Sequence, residues 1–244
     1  MKGFLGVYLR ELFLLKNRAF KFILSLSVSP LLYILAFGLG LGKHLTIKGI
    51  PYLQFLIPGL IAGTTMMQAF SINVEINISK FYLKSFEEFK CAPISEVEYL
   101  LGEVATGITR AFTATAIILI LAYLSGVKPV INFSFFALIF LNTFFFACLG
   151  VISAMLIKSH ADQTLITNFI ITPMMFLSGT FFPVENLPPF LKELIMYLPL
   201  TLVTKDLRKV ALGGQTVPED FFVLSSLCLI IFLLGLKAVK YGRD

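Results

Sequence analysis

The sequence has no tryptophan, only two histidines and only three cysteines, and charged residues make up 14% of its 244 positions. A soluble domain carries roughly 25% charged residues, so this chain lacks the polar cover that a water-facing surface of its size needs. That shortage excludes an ordinary soluble enzyme, and it excludes a nucleic-acid binder despite a formal charge of +6. His44 and His160 stand far apart, as do Cys91, Cys148 and Cys228, so neither a zinc site nor a disulfide set is expected. The nearest text to a phosphate-binding loop, GLGLGKH at 38–44, has the wrong glycine spacing and a histidine where the hydroxyl should be. No ATP site is therefore expected in this chain. With no H-E-x-x-H, no G-x-S-x-G and no intramembrane pair of aspartates, no catalytic residue and no metal ligand is assigned.

What the sequence does have is hydrocarbon. The hydrophobic set reaches 57%, with 26 phenylalanines, and mean hydropathy is +0.89. The charges collect between charge-free intervals at 22–42, 49–74, 111–127, 129–157, 163–184 and 221–236. A helix rises 1.5 Å per residue and needs roughly 20 apolar residues to cross about 30 Å of hydrocarbon. Six spans are predicted, at about 22–42, 53–73, 104–125, 133–157, 164–182 and 219–237. The third puts Arg110 inside the helix, within snorkelling reach of the surface. Helices are expected because amides in lipid must be bonded within the segment, and the runs are too long for barrel strands. Periodicity does not separate six full crossings from a set in which one or two are buried or re-entrant helices.

Lysine and arginine orient the spans, since cytosolic loops carry the excess. Residues 1–21 hold five, the 74–103 loop three, the 158–163 turn one and the tail three, against seven on the other side: Lys43, Lys48, Lys128 and four within 183–218. Both termini are expected in the cytosol, where the cations meet an anionic leaflet.

The segments between spans carry their own signals. Residues 4–20 place Leu5, Tyr8, Leu9, Leu12 and Leu15 at apolar positions and Arg10, Lys16 and Lys21 at polar ones. That pattern reads as a helix on the cytosolic surface, or as a plain extension of the first span. The 74–103 loop holds six acids, three lysines and two S-x-x-E pairs, Ser85 with Glu88 and Ser95 with Glu98. Each pair suits a reciprocal helix cap, and Pro93 separates them. A short helix from Phe86 to about Cys91 is predicted, then a break, then a second helix from Glu96 into the third span. Such a helix is a docking surface for a cytosolic partner, although a solvated loop with local caps reads the same way. The six residues around Lys158–Gln163 make spans four and five an antiparallel hairpin. In 183–218, an amphipathic helix after Pro188 and Pro189 is expected at the outer interface, then a helix over about Leu202–Leu212 that stops at Gly213-Gly214. Thr216 and Glu219 are expected to cap the last span.

Within the spans, Gly38 with Gly42 and Gly59 with Gly63 have the spacing of close helix packing. Gln68, Asn142 and Asn168 either line a polar path or tie helices together. With little charge in the membrane, ion coupling has no carrier in this chain, so energy for uphill transport would come from a partner.

Two stretches carry a family resemblance. SFEEFKCAPISEVEYLLGE at 85–103 has the hydroxyl-x-Glu, proline and Glu/Gly order, and FLSGTFFPVENLPPFLKELIMYLPLTLVTKDLRKVALGG at 176–214 has the Leu-Ser-Gly, Phe-Pro, Leu-Pro and Pro-Leu landmarks. The chain resembles, over nearly its whole length, the membrane subunit of an ABC-2 type ABC transporter, the class of drug, Nod-factor and polysaccharide export permeases. The resemblance implies an all-α integral membrane protein, one domain over 1–244. Its six transmembrane helices would be joined by an N-terminal interfacial helix, a cytosolic coupling helix and short outer re-entrant helices between spans five and six.

Carried over by residue, the resemblance assigns coupling to Ser85, Phe86, Glu87, Glu88, Phe89, Pro93, Glu98 and Gly102. It assigns the outer gate or signature to Leu177, Ser178, Gly179, Phe182, Pro183, Leu187, Pro188, Pro199, Leu200, Asp206 and Arg208. Glu103 stands where the family usually has a cation, so the charge pairing with an ATPase is expected to differ. The implied function is the permease of an ATP-driven exporter of a hydrophobic or amphipathic molecule, such as a drug or lipid. A polysaccharide or lipo-oligosaccharide is the alternative cargo, and a membrane-embedded enzyme, scaffold or passive channel is the rival class. Implied partners are an ABC ATPase in two copies, a second copy of the permease and the bilayer, in a prokaryotic inner membrane. No cofactor is expected on this chain; ATP and Mg belong to the ATPase.

Overall fold

The computed structural model describes residues 2–42, 45–84, 86–157 and 159–243; Lys43, His44, Ser85 and Lys158, which figure in the readings above, lie outside the described residues. The chain is a helical bundle in which five helices are long and apolar enough to cross a membrane: Ala19–Gly38, Tyr52–Tyr82, Glu96–Leu124, Phe133–Leu156 and Pro218–Gly242.

Helix α1, Lys2–Asn17, precedes α2, Ala19–Tyr33, which widens into a π-helical stretch at Ile34–Leu41 after Pro30. A two-residue hairpin follows, β1 Thr46–Ile47 with β2 Ile50–Pro51. Its turn residues Lys48 and Gly49 both have positive φ, the geometry that suits the twist of a tight hairpin. Helix α3, Tyr52–Phe70, continues as α4, Ile72–Asn77, and a π-helical turn at Ile78–Tyr82. The helical path thus runs nine residues past the expected end at 73. Polar residues do not stop it, because Asn73 and Asn77 are buried and Glu75 is paired with Arg110 at 3.0 Å. Arg110 is tied to a neighbouring helix and stacked over Phe22, where snorkelling was expected.

Helix α5 is Phe86–Cys91 and α6 is Glu96–Leu124. The expected cap of α6 is present: Ser95 Oγ accepts from Glu98 N at 3.2 Å, and Ser95 N donates to Glu98 Oε2 at 3.3 Å. Helix α7, Phe133–Leu156, starts at Asn132, whose side chain accepts from Phe135 N at 2.9 Å. The expected fifth crossing is helical over 160–177 in three pieces: α8 His160–Ile166, a π-helical stretch Thr167–Ile171, and α9 Thr172–Leu177. It does not pack along α7 as the short connection suggested. It leans on α4 and α3 instead, where Gly63 leaves room for Met175.

Helices α10, Pro189–Met196, and α11, Pro199–Ala211, each begin on a proline, which suits the first helical position. α11 ends as expected at Gly213, with φ 88°, while Gly214 N donates to Lys209 O at 2.9 Å. Helix α12, Pro218–Arg243, completes the chain. Among the described residues no Thr216–Glu219 cap bond forms. The first bond of α12 runs from Phe221 N to Val217 O, which leaves Thr216 outside the helix start, and Lys205 holds Asp220 at 2.8 Å.

The core lies where α3 runs between α6 and α7, with α12 against α7 and α11 closing over α3 and α7. Leu56, Leu60, Ile61, Phe135 and Phe146 are fully buried there, while Phe20, Leu24, Phe222 and Leu229 on α2 and α12 face outward. Exposed apolar side chains on long helices are what a hydrocarbon surround calls for. The bundle has two ends. One gathers α1, α5, the start of α6 and the end of α12, with Val7 at Gly102 and Leu100 at Gly235. The other gathers the hairpin, the 125–132 loop, 178–188 and α11, with Val130 N bonded to Ala211 O.

Candidate functional site

At the α1 end, two phenylalanines of the six-residue helix α5 seat on one tyrosine. Phe86 meets Tyr99 edge-on at 5.7 Å and Phe89 meets it at 5.4 Å. Cations cover the outer faces of these rings: Lys80 Nζ lies 5.4 Å from Phe86, and the Arg10 guanidinium 5.1 Å from Phe89. Lys80 also donates to Ala154 O of α7 at 3.3 Å. Phe86 is buried, whereas Glu87 and Glu88 are exposed on the opposite face. A helix this short has little stability of its own, so the aromatic seat and the break at Pro93 fix how it presents the two acids. The helix forms over the expected residues, although the proposed cap residue Ser85 lies outside the described set.

Gly102 and Glu98 belong to the seat of α1. A Cβ on Gly102 would stand 2.7 Å from Val7, and one on Gly3 would stand 2.8 Å from Glu98 Oε2. The face of α1 turned to the protein is Val7 and Glu11, both buried, while Leu5, Leu9 and Phe13 point outward. Glu103 sits beneath this contact at 2% exposure. It therefore does not offer a charge to a cytosolic partner, which corrects the expectation drawn from its place in the motif. Burial pushes the Glu11 carboxyl up; Arg10 and Arg110 oppose that, and Glu75 adds to it.

At the opposite end, Arg208 of α11 joins three elements. Its Nε donates to Phe55 O at 3.0 Å and its Nη2 to Gly179 O at 2.7 Å, with the guanidinium carbon 3.6 Å from the Phe55 ring centre. Gly179 has φ 82° in the turn after α9. A Cβ on Gly59 would lie 2.6 Å from Thr180 O, so α3 takes that turn against bare backbone. Tyr52 Oη donates to Phe181 O at 2.8 Å, and the Phe181 ring packs on Tyr33, Phe37 and Phe176. Ser178, Gly179, Pro183 and Arg208 are thus brought together. Phe182 and Leu177 are half-buried beside them, Pro199 opens α11, and Leu200 is in the core. Leu187 and Pro188 lie on the path to α10, away from that cluster. Asp206 does not pair with Arg208 and faces Lys209 at 3.3 Å. Burial pushes the Asp206 carboxyl up, against the pull of Lys209.

The three polar candidates within the spans do not converge. Asn142 donates to Ala62 O and Thr65 Oγ1, each at 3.0 Å, tying α7 to α3. Gln68 is half-buried on α3, and Asn168 is exposed on the π-helical stretch.

Residues 4–212 match the family described as ABC-2 type transporter. The chain belongs to that family. This ABC-2 permease is 30% identical over 234 residues to Nodulation protein J of Neorhizobium galegae, covering 95% of this chain and 89% of that one. It is 25% identical over 220 residues to the Inner membrane transport permease YadH of Escherichia coli strain K12, covering 88% and 86%. With Nodulation protein J of Rhizobium meliloti strain 1021 it shares 27% over 244 residues, covering 99% and 93%. An ABC-2 permease is the membrane subunit of a transporter and works with a separate ABC ATPase. The two stretches that carried the resemblance are those that build the two ends of the bundle.

Proposed function

We propose that this chain is the permease of an ATP-driven exporter, moving a hydrophobic or amphipathic molecule such as a drug or lipid out of the cytosol. The observation that carries the proposal is the seating of α5 on Tyr99, which holds Glu87 and Glu88 outward on a fixed helix between two membrane helices. A partner that pushes on α5 moves α4 and α6 with it. ATP and Mg are held by that partner, an ABC ATPase in two copies, and this chain binds no cofactor. Two copies of the permease supply a seam wide enough for a substrate, which one bundle packed solid around α3 does not.

In this reading both termini and α5 face the cytosol of an inner membrane. The 160–177 stretch makes the sixth crossing, and α10 and α11 form short re-entrant helices that close the outer side.

The test is reconstitution of the permease with its ATPase in vesicles. Glu87→Lys combined with Glu88→Lys is expected to cut ATP-dependent efflux by about tenfold or more, since like charges across a docking surface are costly. Efflux equal to the parent would overturn the assignment of α5.

A further inference from the structure

At the end of the bundle remote from α1, a cavity of about 530 Å³ opens between α11, the turn after α9 and the β-hairpin. Four cations line it, Lys48, Lys205, Arg208 and Lys209, against one acid, Glu185. Each lysine already has a carboxylate: Lys48 holds Glu185 at 2.7 Å, Lys205 holds Asp220 at 2.8 Å and Lys209 holds Asp206 at 3.3 Å. Arg208 has none among the described residues. Two backbone carbonyls take its Nε and Nη2, and its Nη1 has no acceptor among the described residues. A guanidinium held flat on an aromatic ring, with one edge free and no counterion, is preorganised for an oxyanion.

A second, independent observation lies on the same walls. Ser178, Thr201 and Thr204 line the cavity at 0%, 7% and 1% exposure, and the hydroxyl of each has no hydrogen-bond partner among the described residues. Buried hydroxyls are ordinarily satisfied, and three unsatisfied ones beside an unpaired guanidinium call for a ligand with several acceptor oxygens. The remaining walls are apolar, with Ile47, Val184, Met196 and Leu202 among them, and the volume far exceeds that of a single small anion. Glu185 is engaged by Lys48, so no free base stands beside the hydroxyls among the described residues, and the arrangement suits binding rather than chemistry.

We propose that this cavity binds an anionic amphiphile through a phosphate-ester head group, with Arg208 and the Ser178, Thr201 and Thr204 hydroxyls on the phosphate oxygens and the hydrocarbon against Met196 and Leu202. The proposal concerns a site at one end of a single bundle and does not depend on which molecule is exported.

The test uses the purified full-length chain in detergent, titrated with dihexanoyl phosphatidylglycerol, dihexanoyl phosphatidylcholine and inorganic phosphate, with binding read by calorimetry and by thermal stability. Phosphatidylglycerol is expected to bind saturably, one per chain, at least about tenfold more tightly than either of the others. Arg208→Gln is expected to abolish the binding, but it also removes two backbone ties. Thr201→Val with Thr204→Val is therefore the second variant. Because these hydroxyls bond to nothing in the described protein, the double variant should unfold at or above the parent temperature without lipid, while losing most of the lipid-induced rise. Parent-like affinity of that variant for phosphatidylglycerol, or equal binding of phosphatidylcholine, overturns the head-group assignment. Inorganic phosphate binding as tightly as phosphatidylglycerol overturns the assignment of an amphiphile.

Discussion

Arg110, sunk in α6 and nearly buried, donates from Nη1 to Glu75 Oε1 of α4 at 3.0 Å. The pair ties the last turns before α5 to the helix that follows it, so the two supports of the docking helix are locked to each other. Glu75 keeps 41% of its side chain exposed, which places the pair at the edge of water and between the surface and buried regimes. Glu75→Gln is expected to cost about 1–2 kcal/mol. Adding Arg110→Gln should recover part of the loss in a double-mutant cycle read by thermal unfolding in detergent. Strict additivity would show that the two charges are not coupled.

The aromatic seat of α5 offers a local readout. Tyr99→Leu keeps bulk in the core but removes two edge-on ring contacts, each worth about 0.5–1.5 kcal/mol. Amide exchange within 86–91 should accelerate by about tenfold or more, while exchange in the middle of α7 stays unchanged. Equal acceleration in both regions would mean that Tyr99 supports the whole bundle rather than α5.

Glu11 gives a dependence on pH. Its folded-state value stands above the ordinary carboxylate value because burial outweighs Arg10 and Arg110, and Glu75 and the buried Glu103 add negative charge nearby. The folded chain therefore binds this proton more tightly than the unfolded one, and stability falls as pH rises from the ordinary carboxylate range through the raised value. Glu11→Gln should flatten that slope and leave stability at neutral pH equal or higher. Melting temperature followed between acid and neutral pH checks it; a steeper slope in the variant would contradict the burial argument.

Two glycines should answer oppositely to the same change. Gly59→Ala drives a methyl to within 2.6 Å of Thr180 O and 2.9 Å of Thr180 Cα, backbone atoms that cannot rotate away. A loss of about 1–3 kcal/mol is expected. Gly6 on α1 borders open space, with nothing within 4 Å of the place a Cβ would take, so Gly6→Ala should be neutral or stabilising by up to about 1 kcal/mol, from helix propensity. Thermal unfolding of the two variants side by side measures the difference.

What the sequence disclosed, and what it hid, follows from the range of the interactions. The start and end of α5, the Ser95–Glu98 cap and the stop of α11 at Gly213-Gly214 rest on contacts within a few residues, and those patterns are readable in the chain itself. Arg110 looked like a snorkelling cation because its partner is 35 positions away, and Glu75 looked like the end of a span for the same reason. Glu11 read as one more polar residue on a surface helix, although its place four after Val7 puts it on the docked face. The Lys48-Gly49 turn is a short hairpin signal that a search for long apolar runs passes over. At the far end, Ser178, Gly179, Pro183 and Arg208 were picked out by family resemblance, but the free edge of Arg208 and the unpaired hydroxyls around it are visible only when α3, α9 and α11 are assembled.

The helical path Tyr52–Tyr82 spans 31 residues, roughly 46 Å at the rise of an α-helix, against about 30 Å of hydrocarbon. Phe55 and Gly59, near its start, carry Arg208 and the Thr180 turn, while Lys80, near its end, sits over Phe86 of the docking helix. Such a length acts as a lever. A tilt of about 5° about its midpoint displaces each tip by about 2 Å, enough to break a hydrogen bond such as the one from Arg208 to Phe55 O. A small rotation imposed at α5 would then loosen the Arg208 clamp at the other side of the bundle, with no signal having to pass from side chain to side chain in between.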